Sequence, residues 1–265
     1  MNIPNLNWDT YTAGVERVGW CGEVSIQMIA LHYGYYHSQK TINQLGKPKH
    51  LDLYSDEIES VMKLLGFDYS FYINERGQDV GDYIRWVKHN LANRIPVFSG
   101  VKRNPSGNPN WYLDHFVVLT GYDKWNIFYN SNNRNHGEVV VEESLFLSSS
   151  KPYNLKNSSN FYFGIAVDGI NLHDKNKPNS HPVRLLVLGE TEDKVNLGIR
   201  VQDLLVGQQY TLSRHRIDMD SKRTVIDSSE LFVASKDTMT FKHLVLDKHE
   251  SYFYTIENTK LKLES

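Results

Sequence analysis

The chain has 265 residues, of which 40% are hydrophobic and 23% charged, with a formal net charge of −2. This usage sits near that of ordinary globular proteins and far from chains too polar to bury a core, and the length exceeds one typical domain of about 100–200 residues, so two compact units are expected. No Lys/Arg stripe offers to neutralise a phosphate backbone, which excludes nucleic acid as an expected partner; no basic-then-apolar leader and no run of about 18 apolar residues occurs, so the expectation is a cytoplasmic protein without a membrane span.

Taken in chain order, the first strong signal is the run from Glu23 to Leu31, with apolar residues at helical spacing, no internal Gly or Pro, and Gly34 as a stop. It predicts a helix that begins at Cys21. Ser55-Asp56-Glu57 opens a second helix, with Ile58, Val61, Met62, Leu64 and Leu65 on its apolar side and Gly66 at its end; a third is expected from Val80 to Ala92. From residue 95 the texture changes. Ile95 to Val101, His115 to Tyr122, Asn126 to Tyr129 and Glu138 to Val141 are β-branched or aromatic runs between turn residues, which predicts consecutive antiparallel strands. A last run, Phe161 to Val167, precedes a stretch rich in Asp, Asn, Lys and Pro. The expected domains are therefore 1–168 and 181–265, joined by a linker at 169–180.

Beyond the linker, runs at Val183–Leu188, Val195–Val201, Tyr210–Arg214, around Leu244 and at Tyr252–Ile256 are short strands at fairly even spacing, the pattern of a small β-sandwich. Within it, Leu204 to Leu212 resembles the L-x-x-G-x-x-Y turn of fibronectin type III and immunoglobulin-like modules, where a tyrosine packs at a corner.

Cys21 is the one cysteine, which excludes an intramolecular disulfide and any multi-cysteine metal site. A lone cysteine is commonly a small buried hydrophobe. At the start of a helix, however, unpaired N–H groups and the macrodipole favour a thiolate, the form that attacks. Gly19-Trp20 and Gly22 keep the surrounding backbone approachable. A nucleophile also needs a base, and His115, at the head of an apolar strand after a polar loop, is the candidate, a structural histidine being the alternative.

The stretch Trp20-Cys21-Gly22-Glu23-Val24-Ser25-Ile26-Gln27-Met28, with Tyr33-Gly34 downstream, resembles the W-C-G-P-A-S-x-Q-M…Y-Y-G segment of the bacteriocin-processing (double-glycine leader) peptidases of the papain-like superfamily. His115 to Asp123 is similar to that family's H-F-V-V-V-T-G-Y-D strand. The resemblance covers about residues 15–167. It implies an α+β, papain-like cysteine protease fold, with amino-terminal helices packed on an antiparallel sheet, and Cys21 and His115 as nucleophile and base. The family's third residue, usually an Asp that orients the histidine, is absent: a gapless alignment lands near Ser131, and Asn130 is favoured for the role with Asn132 second. The family's Gln about six residues before the cysteine is also missing, since position 15 is Val; Glu16 and Arg17 are the nearest oxyanion candidates, with the Cys21 backbone N–H beside them. Trp20 and Trp111 are the candidates for lining the substrate site.

The expected function is a cysteine-dependent hydrolase or acyl transferase that acts on an amide, peptide or thioester through an acyl-enzyme at Cys21, with a peptide or small acyl substrate and no cofactor. The alternative is a catalytically inactive papain-like fold that serves as a binding module. Eleven histidines do not form a ligand-spaced pair with a carboxylate, and no glycine-rich phosphate loop is present. Neither a metal nor a nucleotide is therefore expected.

Overall fold

The computed structural model describes residues 1, 3–8, 19–72, 80–103, 106–107, 109–110, 113–132, 137–147, 162–171, 181–221 and 223–259. In chain order the elements are α1 (Cys21–His32), β1 (Tyr35–Tyr36), α2 (Gln39–Gly46), α3 (Ser55–Leu64), β2 (Phe67–Phe71), α4 (Val80–Ala92), β3 (Val97–Val101), β4 (His115–Tyr122), β5 (Asn126–Asn130), β6 (Glu138–Glu142), α5 (Glu143–Leu147) and β7 (Gly164–Ile170). Six strands follow: β8 (Val183–Glu190), β9 (Lys194–Val201), β10 (Gln209–Ile217), β11 (Thr224–Val233), β12 (Met239–Asp247) and β13 (Ser251–Asn258). The chain is α+β, with antiparallel sheets throughout the described residues. It divides into one unit of Met1–Ile29 with Asn43–Ile170 and a second of Ala30–Ile42 with Asn171–Ser265. Residues 30–42 thus group with the second unit, a return that no motif in the sequence marks. Most of the expected linker, 172–180, lies outside the described residues.

In the first unit, α1 has no solvent face. Val24, Ile26, Met28 and Ile29 are fully buried, and so are Glu23, Ser25 and Gln27. A helix buried on all sides has no solvent-facing polar stripe, so its polar residues, Glu23, Ser25 and Gln27, are held inside the fold. The sheet has the order β2-β7-β3-β4-β5-β6. Strands β3 to β6 are consecutive neighbours, whereas β7 crosses back to pair with β3 and carries β2 outside it. Tyr83, Ile84, Val87 and Leu91 of α4 pack on Val97, Val101, Val117, Leu119, Ile127 and Tyr129, the apolar positions of β3, β4 and β5, in one core. Burying side chains of this size contributes about 1.5–3 kcal/mol each, so the centre of the sheet is its most firmly held part.

Register sets the geometry of the site. His115 on β4 is opposite Val101 on β3, and Asn130 on β5 is opposite Val118 on β4. The chain leaving β5 therefore runs antiparallel past the beginning of β4, bringing Ser131 and Asn132 to the residues that follow the polar loop.

The second unit holds a three-stranded sheet, β12-β9-β8, and a four-stranded sheet, β1-β13-β10-β11. Tyr210 is fully buried and its hydroxyl accepts the N–H of Leu205 at 3.0 Å, which closes the turn through Gly207 onto β10. Gly207 has φ +84°, a conformation that a side chain would strain. Strand β11 was not anticipated. Its Asp227, Ser228, Ser229 and Glu230 break the apolar pattern because it is an edge strand, paired with β10 alone.

Candidate active site

Cys21 is the first residue of α1 and is 7% exposed. Its Sγ accepts the backbone N–H of Phe116 at 3.4 Å, which ties the helix start to the second residue of β4. Gly22 lets α1 approach α3 closely: a Cβ there would lie 3.1 Å from Ile58 Cδ1. A cavity of about 350 Å³ opens beside the sulfur, lined by Cys21, His115 and Phe116, by the 52–55 segment, and by Asn110, Leu113 and Asp114. The two residues singled out as nucleophile and base thus share one cavity.

Their resting protonation runs against a preformed ion pair. Burial pushes the Cys21 thiol up to about 12; the Phe116 N–H pulls the other way, and the Glu23 and Asp52 carboxylates push it further up. Burial pushes His115 down to about 4, helped by the Arg103 charge and opposed by Asp114 and by the bond to the Ser131 carbonyl. The pair is therefore neutral thiol and neutral imidazole across the ordinary pH range.

The group that holds the His115 ring differs from the two residues expected. A ring N–H donates to the backbone carbonyl of Ser131, and Nε2 has no hydrogen-bond partner among the described residues. Asn130 directs its amide elsewhere, to the carbonyls of Ile3 and Pro4, both at 3.2 Å, and to the Met28 sulfur. Asn132 is a brace: its Nδ2 donates to Phe116 O at 2.6 Å and reaches Cys21 O at 3.4 Å and Ser25 Oγ at 3.5 Å. A main-chain acceptor leaves no residue-type signature, so side-chain reasoning passed over Ser131 in favour of its neighbours. The Cys21 N–H, expected to be open to an oxyanion, donates to Gly19 O at 2.6 Å. Glu16, Arg17 and Trp111 lie outside the described residues.

Trp20, expected beside the substrate, is 3% exposed and is not part of the cavity wall. Its indole N–H donates to Leu51 O at 2.9 Å, so it pins the loop before α3. Glu23 pins the same loop from beneath: its Oε1 accepts from Asn43 Nδ2 at 2.8 Å and from Leu53 N at 3.0 Å, and its Oε2 has no partner among the described residues. Glu57 completes the anchorage by accepting the N–H groups of Lys49 and Tyr54. One signal for Glu23 was available in the sequence, the single carboxylate in a helical run without a polar face.

Burial raises Glu23 from 4.5 to about 7 despite the Asn43 bond. Between those values the folded protein holds a proton that the unfolded chain has released, so this group's contribution to stability is present at low pH and is lost as pH rises through about 7. His115 and His32, both lowered mainly by burial, act in the opposite direction, and comparison with Glu23→Gln isolates the carboxylate. Wild-type stability minus that of E23Q is expected to fall by up to about 3 kcal/mol between pH 4.5 and 7.5 in urea melts; a flat difference would contradict the assignment.

No group of three or more His, Cys, Asp or Glu among the described residues is placed to hold a metal ion, and no helix among them is long and apolar enough to cross a membrane. Neither a family model nor a curated protein matches the chain. Among solved structures, the chain is similar to the peptidase domain of ComA from Streptococcus, a bifunctional ABC transporter involved in a quorum-sensing pathway. The match has 16% identity, covers 58% of this chain and 95% of that one, and has a TM-score of 0.41.

Proposed function

We propose that the first unit is a papain-like cysteine hydrolase or acyl transferase in which Cys21 attacks an amide, peptide or thioester carbonyl and His115 takes the thiol proton. One observation carries the reading: the one cysteine of the chain stands at the head of α1 in a cavity shared with His115, whose ring is held by the Ser131 carbonyl with Nε2 left unbonded. The sulfur forms a bond to the carbonyl carbon as the proton passes to the imidazole. The imidazolium then protonates the leaving amine or thiolate, and water or a second amine releases the acyl group from sulfur. Because both groups rest neutral, proton transfer accompanies attack instead of preceding it. Burial of the uncharged pair supports this order.

The second unit is read as a fibronectin- or immunoglobulin-like sandwich. The three-plus-four strand division and the Tyr210–Leu205 bond support that reading, with β1, from the 30–42 segment, serving as an edge strand beside β13.

A rival reading, a silent fold retained for binding, is favoured by two observations: the thiol is held neutral by burial, and the Cys21 N–H is already bonded. Kinetics on a panel of peptide amides and thioesters separates the two. Activity is expected to climb through about pH 4 as His115 loses its proton and to hold level to about pH 9, since the thiol does not ionise below that. An alkaline fall centred below about pH 8 would overturn the neutral resting pair. Absence of turnover, together with Cys21 alkylation indifferent to His115→Ala, would establish the binding role.

A further inference from the structure

The cavity shared by Cys21 and His115 is also lined by Asp52, a partly buried carboxylate with no ion-pair partner among the described residues. Its neighbours are suited to a cation on a hydrocarbon stem. Tyr54 lines the same cavity and its ring is stacked on His50 at 4.3 Å, which holds the aromatic face in place. Leu53, Leu113 and Phe116 supply apolar surface to it. A carboxylate beside a tyrosine ring, reached along apolar side chains, matches an ammonium or guanidinium on a methylene stem, as a lysine or arginine side chain would present it. Two basic groups act on this space, His50 on Asp52, drawing its carboxyl down, and Arg103 on His115, and neither forms an ion pair with Asp52 among the described residues. The other carboxylates are already engaged: Asp114 accepts the N–H of Arg103 at 2.6 Å, Glu57 accepts two backbone N–H groups, and Glu23 lies beneath the loop.

We infer that the cavity takes substrates carrying a positive charge next to the scissile carbonyl, with Asp52 as the specificity-determining residue. The inference rests on the acyl-transfer reading above and sharpens it. A bound cation would also act on the chemistry. Asp52 stands among the charges that hold the thiol neutral, so neutralising its field would ease loss of the Cys21 proton. A neutral or anionic substrate leaves that field in place. The preferred substrate therefore binds better and lowers the barrier to attack together.

The test uses the full chain and three small alkylating reagents that differ in charge: 2-bromoethylammonium, iodoacetamide and iodoacetate. In each, sulfur displaces halide as the thiol proton leaves, and mass spectrometry of the Cys21 peptide gives the rate. At low ionic strength the cation-to-anion rate ratio, corrected for the same ratio with a small free thiol, is expected to exceed one. It is expected to fall about tenfold in Asp52→Asn, to return in Asp52→Glu, and to collapse in about 1 M salt. The iodoacetamide rate is expected to rise in D52N, because a like charge beside the thiol has gone. A ratio unchanged by D52N would overturn the inference while leaving the acyl-transfer reading intact, provided labelling still depends on His115. If labelling by all three reagents is indifferent to His115→Ala, both fall.

Discussion

Cys21→Ser is expected to abolish covalent labelling and to lower turnover of any responsive amide or thioester by at least about 10³-fold, with little change in stability. The serine hydroxyl fits the space of the thiol and can still accept the Phe116 N–H that the sulfur accepts at 3.4 Å, so the melting temperature should move by only a few degrees. What is lost is nucleophilicity: a hydroxyl beside an imidazole held near 4 has a much weaker route to deprotonation than the thiol has. His115→Ala is expected to cost about 10²–10⁴-fold, and the double variant no more than the worse of the two, since the residues act as a unit. Burst kinetics with an activated ester, alongside far-ultraviolet circular dichroism, checks each variant. Residual turnover in Cys21→Ala at the wild-type rate would move the chemistry elsewhere in the molecule.

The parts of this site that sequence reading reached are those whose residue types are themselves the signal. A cysteine heading an apolar helical run and a histidine heading an apolar strand could be paired before any coordinates, and the structure brings both to one cavity. The helices at 21–32, 55–64 and 80–92 and the strands β3 to β6 were legible for a related reason, that burial imposes periods of 3.6 and 2 on the apolar residues. What escaped was carried by the main chain or by long-range pairing. Ser131 acts through its carbonyl, and its neighbours Asn130 and Asn132, which looked suited to the histidine, bond respectively to the amino-terminal segment and to a junction of α1 with β4. The assignment of residues 30–42 to the second unit rests largely on β1, two residues whose pairing with Phe253 and Tyr252 has no local signature. Strand β11, half polar on its edge, was invisible for the opposite reason, that little of it is buried.

The neutral resting pair also changes how the loop before α3 should be regarded. Trp20 and Glu23, on either side of Cys21 in sequence, both hold that loop, through Leu51 O and Leu53 N. The motif around Cys21 therefore sets the position of the cavity wall as well as that of the sulfur. Substitutions there are expected to alter thiol reactivity, because Asp52, one of the charges acting on the thiol, is part of the same loop.

The second large effect is expected at Asn132, and its direction separates a brace from a catalytic orienter. Asn132 sits at φ +59°, a conformation that Asn and Gly tolerate better than other residues. Its buried amide donates to Phe116 O and reaches Cys21 O, so it ties the residues on either side of the sulfur-to-β4 contact. Asn132→Ala removes these bonds and adds backbone strain, for an expected loss of about 2–3 kcal/mol. Asn132→Asp should be worse, about 3–5 kcal/mol above neutral pH, because an acceptor-only carboxylate would then face two carbonyl oxygens in a buried site. That excess should shrink in acid, since protonation supplies one donor. If Asn132 instead oriented His115 by accepting its N–H, Asp would serve at least as well as Asn and would raise activity. Urea melts of the three proteins at pH 5 and pH 8, with kcat/KM measured alongside, decide between these outcomes. The brace requires the stability order Asn, Ala, Asp at pH 8, and a fully stable, more active N132D would exclude it.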